Sequence, residues 1–499
     1  MLFSSTVFVF LFLPIVNVFH FLVPWRARNL WLLAASLFFY AWGETHLVWI
    51  LLVSIFVNYL SALAISGGFS PGTPPQLPQA GGRTARQKLA LAVGILANLG
   101  LLGFFKYFHF GVDTWNQLLA LAGIERGRCD PGFTVTLPLG ISFFTFQAMS
   151  YTIDVYRGRA RATRNLLNLA TYVTLFPQLV AGPIVRYVQV AEALKHRKPR
   201  AERIARGSKR FVVGLAKKMI VANAVAVPAD QIFALPDNQL TSSLAWLAVL
   251  CYTLQIYFDF SGYSDMAIGM GHIFGFDFPE NFNYPYIAQS MRDFWQRWHI
   301  SLSTWFRDYL YIPLGGNRKG AFRTRFNLLL VFLLCGLWHG ASWTFVVWGL
   351  YHGFFLALER TPFGVWVARL WRPLRHAYTL LAVMIGWIVF RAETFKQALM
   401  LLKATICFAG AESSVHVLSE YCDRETVLIV GLAVLGSMPW IPAAAARLRA
   451  AAARMHPLAR ASMEVTAEAM VVPVLCLLFA YCAMLLAAQT HNPFIYFRF

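Results

Sequence analysis

Charge is scarce in this 499-residue chain. Only 13% of residues are charged against 58% hydrophobic and 16% aromatic, and the mean hydropathy of +0.54 lies outside the range of soluble globular proteins. Acidic residues are the scarcest, 23 Asp and Glu against 43 Lys and Arg, which leaves a formal net charge of +20. The basic residues fall in short clusters between apolar stretches, as in cytoplasmic loops of membrane proteins, so no nucleic-acid partner is expected. Seven cysteines, at 129, 251, 335, 407, 422, 476 and 482, include no C-x-x-C pair, and neither zinc spacing nor a disulfide framework is suggested. No H-E-x-x-H or G-x-S-x-G motif occurs, and Gly315-Gly-Asn-Arg-Lys-Gly320 lacks P-loop spacing and a following Ser or Thr. There is no internal repeat and no long polar tract. The first apolar run has no basic segment before it and no small-residue cleavage site after it, so a retained helix is expected rather than a removed signal peptide.

What is present is a succession of apolar runs. Measured against the roughly 20 residues that cross a bilayer, candidate spans lie near 2–24, 30–43, 46–66, 89–108, 134–154, 211–227, 243–260, 326–337, 341–358, 377–390, 426–440 and 468–488. The fold class is therefore an all-α multi-pass membrane protein, read as one integral domain over 1–499. Its expected parts include a cytoplasmic loop at 67–88 and a catalytic core segment at 257–358. Clusters at Arg26 and Arg28, at Arg83, Arg86 and Lys88, and at Arg157, Arg159, Arg161 and Arg164 belong in the cytoplasm, which places the N-terminus outside. The run Leu166 to Val185 has basic flanks at both ends. A re-entrant segment broken at Pro177, Gly182 and Pro183 satisfies both, since non-helical backbone at depth needs surrounding protein or a water-filled cavity; a proline-kinked interfacial helix is the alternative. Ala444 to Arg454 reads as an Ala/Arg-rich helix at the headgroups.

His339 stands in Gly336-Leu-Trp-His-Gly340, within one of the most apolar stretches of the chain. A polar ring at bilayer depth marks interior cavities and pathways more often than lipid faces, although a histidine that merely bonds a neighbouring helix reads the same way. Between Tyr257 and Gly316 the chain turns rich in aromatic, charged and histidine residues. Asp259 and Asp265 flank a glycine that reads as a helix break, and N-capping of Met266 to Phe274 is their expected role. On a helix through Met291 to Ser303, Asp293 and Arg297 pair, while Trp295, His299 and Ser303 share another face. An interfacial helix explains most of these aromatics but explains His299 less well. A histidine without a covalent nucleophile suits general-base activation of an acceptor hydroxyl. The flanking Gly336 and Gly340 would let a backbone or a thin substrate come close.

Eight blocks carry a resemblance to a known family. They are Phe38-Phe-Tyr-Ala-Trp-Gly43, Leu137-Pro-Leu-Gly-Ile-Ser-Phe-Phe-Thr-Phe-Gln147, Phe176-Pro-Gln-Leu-Val-Ala-Gly-Pro183, Tyr257-Phe-Asp-Phe-Ser-Gly-Tyr-Ser-Asp265, Phe294-Trp-Gln-Arg-Trp-His299, Asp308-Tyr-Leu-Tyr-Ile-Pro-Leu-Gly-Gly316, Gly336-Leu-Trp-His-Gly340 and Asn492-Pro-Phe-Ile-Tyr-Phe. In this order the chain resembles the membrane-bound O-acyltransferases (MBOAT), and within them the bacterial alginate O-acetyltransferase branch. Only 67–88 and 410–425 carry no recognisable signature.

The resemblance implies a helical bundle around a central tunnel, His339 as the catalytic histidine and His299 as the second histidine of the branch. Trp338, Trp343, Ser303, Asp259, Asp265, Trp295 and Cys335 are candidates for lining the tunnel or holding the donor. No permanent cofactor or metal is implied. Acetyl-CoA from the cytoplasm is the implied donor, and the basic loop Arg186 to Lys218 would attract its phosphates. The implied acceptor is an exported polysaccharide or a side chain of a periplasmic SGNH-type partner within a polysaccharide-modification complex. Membrane lipids surround the protein, in the bacterial inner membrane. Rival readings are a D-alanyl transferase fed by a carrier protein, a sterol or protein acyltransferase, and, from another class, a secondary transporter.

Overall fold

The computed structural model describes residues 1–70, 72, 74–198, 200–406, 417–488 and 493, and among them there are helices and no strand. Cys407, residues 410–416 of the 410–425 stretch and the terminal block apart from Pro493 lie outside the described residues. The helices that matter here are α1 Phe8–Leu22, α2 Arg28–Ala41, α3 Val48–Ser66, α4 Ala85–Leu121, α5 Ile141–Tyr156, α6 Leu166–Thr174, α7 Ala201–Phe233 and α8 Ser242–Phe274. They are followed by α9 Met291–Arg297, α10 Ile300–Phe306, α11 Gly320–His339, α12 Trp343–Leu358, α13 Arg372–Arg391, α14 Arg424–Gly436, α15 Trp440–Ala452 and α16 Pro457–Ala487. Among the described residues, seven helices are long and apolar enough to cross a membrane, or eight if α14 and α15, bent by 50°, form one span. The protein is thus a multi-pass membrane protein, and one contiguous buried core runs from Phe3 to Leu486.

Hydropathy overcounted the spans: the helices at the candidates near 2–24, 30–43, 134–154 and 341–358 are too short to be among those long enough to cross, and the lengths of others differ from expectation. α4 runs 37 residues where an apolar stretch of about twenty was expected. Thr84 starts it, accepting from Gln87 N while the Gln87 side chain accepts from Thr84 N. No proline follows, so the helix continues through the more polar positions beyond Tyr107 until Ala122-Gly123.

The expected break at Gly262 does not occur. α8 is continuous for 33 residues and is capped by Thr241, so neither Asp259 nor Asp265 is an N-cap. The glycines are instead where α7 and α8 touch: a Cβ on Gly214 would stand 2.6 Å from the Gly262 carbonyl, and one on Gly269 would stand 2.6 Å from the Gly207 carbonyl. Small residues let membrane helices approach closely, and van der Waals packing then holds them. The carboxylates find counter-charges across this contact. Asp259 pairs with Lys218 at 2.7 Å, and Asp265 with Lys217 at 2.6 Å and Arg210 at 2.8 Å.

The Leu166 to Val185 segment is broken, but its first break comes two residues before Pro177, which lies within the turn that follows. α6 stops at Leu175, a single turn follows at Phe176–Leu179, and every residue from Leu169 to Val185 is buried. Its backbone donors are met by side chains, Phe176 N by Ser36 Oγ at 3.1 Å and Ile184 N by Ser301 Oγ at 3.0 Å. Burial on all sides fits a segment enclosed by protein rather than an interfacial helix.

Candidate active site

α11 delivers His339 at its last position. Gly340 is extended and donates back to Gly336 O at 3.2 Å, so the helix ends there. The glycines of the motif serve the neighbouring backbone. A Cβ on Gly336 would collide with the Phe345 carbonyl and one on Gly349 with the Phe332 carbonyl, so α11 and α12 pack at glycine distance immediately before the histidine. The His339 ring is 5% exposed as a residue and is walled by Trp338 and Trp348, each with its ring centre 5.0 Å away, and by Phe390 at 5.4 Å. Its Nδ1 has no partner among the described residues.

His299 lies 6.5 Å from His339, centre to centre, and reaches that place by a route the helical spacing did not show. The chain does not continue as one helix through Met291 to Ser303. It breaks after α9, His299 adopts φ +44, and α10 restarts at Ile300. Trp295, His299 and Ser303 therefore share no face. Positive φ in a non-glycine residue costs energy and recurs at functional sites. The turn is held by Asn281, whose Oδ1 accepts from Ser301 N at 3.2 Å, Ser301 Oγ at 2.9 Å and His299 Nδ1 at 3.1 Å. Because a backbone N–H must donate to that oxygen, the amide orientation is fixed and Nδ1 carries the proton of the neutral ring. His299 Nε2 is then a lone-pair acceptor, and it has no partner among the described residues. The expected Asp293–Arg297 pair does form, at 2.7 Å.

Two cavities lie near the histidines; His339 lines the smaller, and His299 lines neither. The larger, about 1120 Å³, is lined deep inside by Trp295, Leu302, Ser303, Phe332 and Cys335, and at its mouth by Arg292, Arg307, Arg360 and Arg375. The smaller, about 210 Å³, is lined by Glu44, Lys106, the Leu137–Phe143 stretch, Val180, Trp338 and His339. They enter from opposite ends of the bundle. Arg307 belongs to the end where α5 finishes, since Arg157 donates to the Asp308 carbonyl and Arg83 to that of Tyr156; Glu44 and Leu137 to Gly140 belong to the end where α5 begins. Along α11 the larger cavity reaches Cys335 and the smaller reaches Trp338 and His339, so the two come to positions four residues, or about 6 Å, apart on the helix. Trp338 stands in the wall between them, its Nε1 donating to Ser142 O at 3.2 Å.

Three expected lining residues lie elsewhere. Trp343 is half exposed against Phe110 at 5.5 Å and lines neither cavity, while Asp259 and Asp265 are held in the α7–α8 ion pairs. Four residues escaped the sequence reading: Lys106, Glu44, Asn281 and His352, a fully buried ring 4.9 Å from Trp348. Lys106 had a legible signal, a lysine inside an apolar span. Asn281 had none.

A model of the membrane-bound O-acyltransferase family matches residues 157–391, which include both histidines. Across 100% of both chains the sequence is 42% identical to the probable alginate O-acetylase AlgI of Azotobacter vinelandii and 41% identical to that of Pseudomonas putida. The chain belongs to the membrane-bound O-acyltransferase family. A third relative, the peptidoglycan O-acetyltransferase of Helicobacter pylori, is 37% identical over 85% of this chain and 84% of its own. As a membrane-bound O-acyltransferase the protein is an acyl-transferring enzyme.

Proposed function

We propose that this enzyme moves an acetyl group from cytoplasmic acetyl-CoA across the inner membrane for O-acetylation of an exported polysaccharide, by way of a periplasmic partner. The observation that supports this reading is that His339 lines the smaller cavity while the larger, opening at the other end of the bundle, reaches Cys335 one helical turn away on the same helix. The larger has the size of a small-molecule site and guanidinium groups at its mouth, which suit the phosphates of a nucleotide thioester. The basic clusters at that end favour the cytoplasm. At about 210 Å³ the smaller cavity admits one side chain or one sugar hydroxyl arm rather than a polymer strand, which favours a side chain of an SGNH-type partner as the immediate acceptor. The names of the relatives, alginate O-acetylase and peptidoglycan O-acetyltransferase, support a polysaccharide as the final destination.

In the proposed step His339 takes the proton of the acceptor hydroxyl as its oxygen attacks the thioester carbonyl. The C–S bond breaks, and the leaving thiolate recovers the proton from the imidazolium. General-base assistance of this kind contributes about 10² to 10⁴ in rate. His299 offers a lone pair at Nε2, so as a neutral ring it accepts a hydrogen bond from an amide or hydroxyl of a substrate and orients it. Stabilising an oxyanion would require the protonated ring. The test is release of CoA from acetyl-CoA by the purified protein with an acceptor supplied: His339→Ala is expected to lose about 10²-fold or more, and wild-type turnover in that variant would remove the reading.

A further inference from the structure

The carboxyl end of α11 is held by two consecutive residues of α4. Tyr107 Oη donates to Leu337 O at 2.7 Å, and the Lys106 ammonium donates to Trp338 O at 2.5 Å and to His339 O at 3.1 Å. With Gly340 N on Gly336 O, each of the last four carbonyls of the helix that carries the histidine has a donor. The third proton of Lys106 goes to Ser142 Oγ at 3.2 Å, and Ser142 O in turn accepts from Trp338 Nε1. One ammonium thus ties α4, α5 and α11 together at the inner wall of the smaller cavity. A lysine at membrane depth is costly and is kept for a purpose, and a cation at a helix carboxyl end also meets the negative pole of the dipole.

Resting on the reading of His339 as general base, we propose that Lys106 is a positioning residue of the acyl transfer, fixing the backbone from which the His339 ring projects, with Tyr107 as its auxiliary. Substrate binding by Lys106 is the weaker assignment, because an ammonium has three protons and all three are taken by Ser142, Trp338 and His339. A helix end left without these donors frays over its last turn, and that turn is the catalytic one. Misplacement of a reacting group by about 1 Å costs about 10²-fold in rate.

The experiment measures CoA release by the full-length protein in lipid nanodiscs for wild type, Lys106→Met, Lys106→Ala, Tyr107→Phe and His339→Ala. Lys106→Met is expected to lose about 10²-fold in kcat with the KM for acetyl-CoA unchanged, and Tyr107→Phe to lose less. In Lys106→Ala, added propylammonium is expected to restore turnover while tetramethylammonium, which has no proton to donate, does not. Wild-type kcat in Lys106→Met overturns the proposal, as does a folded Lys106→Ala that propylammonium fails to restore. If Lys106→Met does not fold, the alanine variant with added amine decides alone. Equal CoA release by wild type and His339→Ala would sink the general-base reading itself; a difference there, with Lys106→Met at the wild-type rate, sinks only the role of Lys106.

Discussion

Where α7 packs on α8, buried carboxylates meet counter-charges, Asp259 on Lys218 and Asp265 on Lys217 and Arg210; around the histidines, buried ring nitrogens go without partners. Among the described residues, His299 Nε2, His339 Nδ1, both nitrogens of His352 and the indole nitrogens of Trp295 and Trp348 have no acceptor or donor. The Asp259–Lys218 pair, with side chains 2% and 3% exposed, is as deep as the histidines, so depth does not separate that pair from them. A polar group that serves the fold is best satisfied within the fold, while one that handles a substrate must keep a valence free. Asp259 and Asp265 had been candidates for the site through the family resemblance; their ion pairs assign them to the α7–α8 contact, while the unfilled valences of the histidines fit a site.

The sharpest way to break this contrast is to unpair the paired region. Lys218→Met leaves the Asp259 carboxylate buried without its cation, and loss of one partner of a buried pair costs about 3–5 kcal/mol. Adding Asp259→Leu should return most of that stability, because two apolar side chains in place of a buried pair are close to neutral. Thermal unfolding of the purified variants checks both. A single variant as stable as wild type would mean that the α7–α8 charges are not stability elements and that the contrast is empty.

On the unpaired side the effect should fall on rate rather than on stability. Asparagine tolerates positive φ, so His299→Asn keeps the turn between α9 and α10 while removing Nε2. About 10²-fold less CoA release is expected, equivalent to about 2.7 kcal/mol in the barrier, with stability changed by less than about 1 kcal/mol. Stability lost in step with activity would instead make His299 a structural residue.

The two regions also differ in how well the sequence described them. His339 was visible because an imidazole in an apolar run has no lipid-facing use, His299 because an interfacial helix left it unexplained, and the broken segment before Val185 because both of its flanks are basic. The helix break at His299 was not, since Trp298-His299-Ile300 contains no glycine or proline, and the left-handed turn depends on Asn281, eighteen residues back in the chain. Glycines misled in the opposite sense: Gly262 reads as a break and serves as a contact, because what faces it is another helix and not solvent. Pairing across helices, as of Asp259 with Lys218 or of Lys106 with the end of α11, is a property of the packed bundle that local spacing does not encode.

The smallest effect belongs to the one ion pair that local spacing did encode. Asp293 and Arg297 are four apart on the seven-residue α9 and pair at 2.7 Å, but both side chains are about a third exposed, at 32% and 28%. Water and salt screen such a pair, and i,i+4 pairs contribute about 0.3–0.5 kcal/mol. Asp293 does more than pair: Oδ2 accepts from Gln289 N at 3.2 Å, and its own N–H donates to Ser290 Oγ at 3.0 Å, so the start of α9 keeps its cap when Arg297 is removed. Arg297→Ala is therefore expected to lower the unfolding midpoint only slightly, and less still in high salt. A loss approaching that of Lys218→Met would show that this short helix, which aims Trp295 into the larger cavity, rests on its surface charges, and that burial is the wrong criterion for separating the two regions.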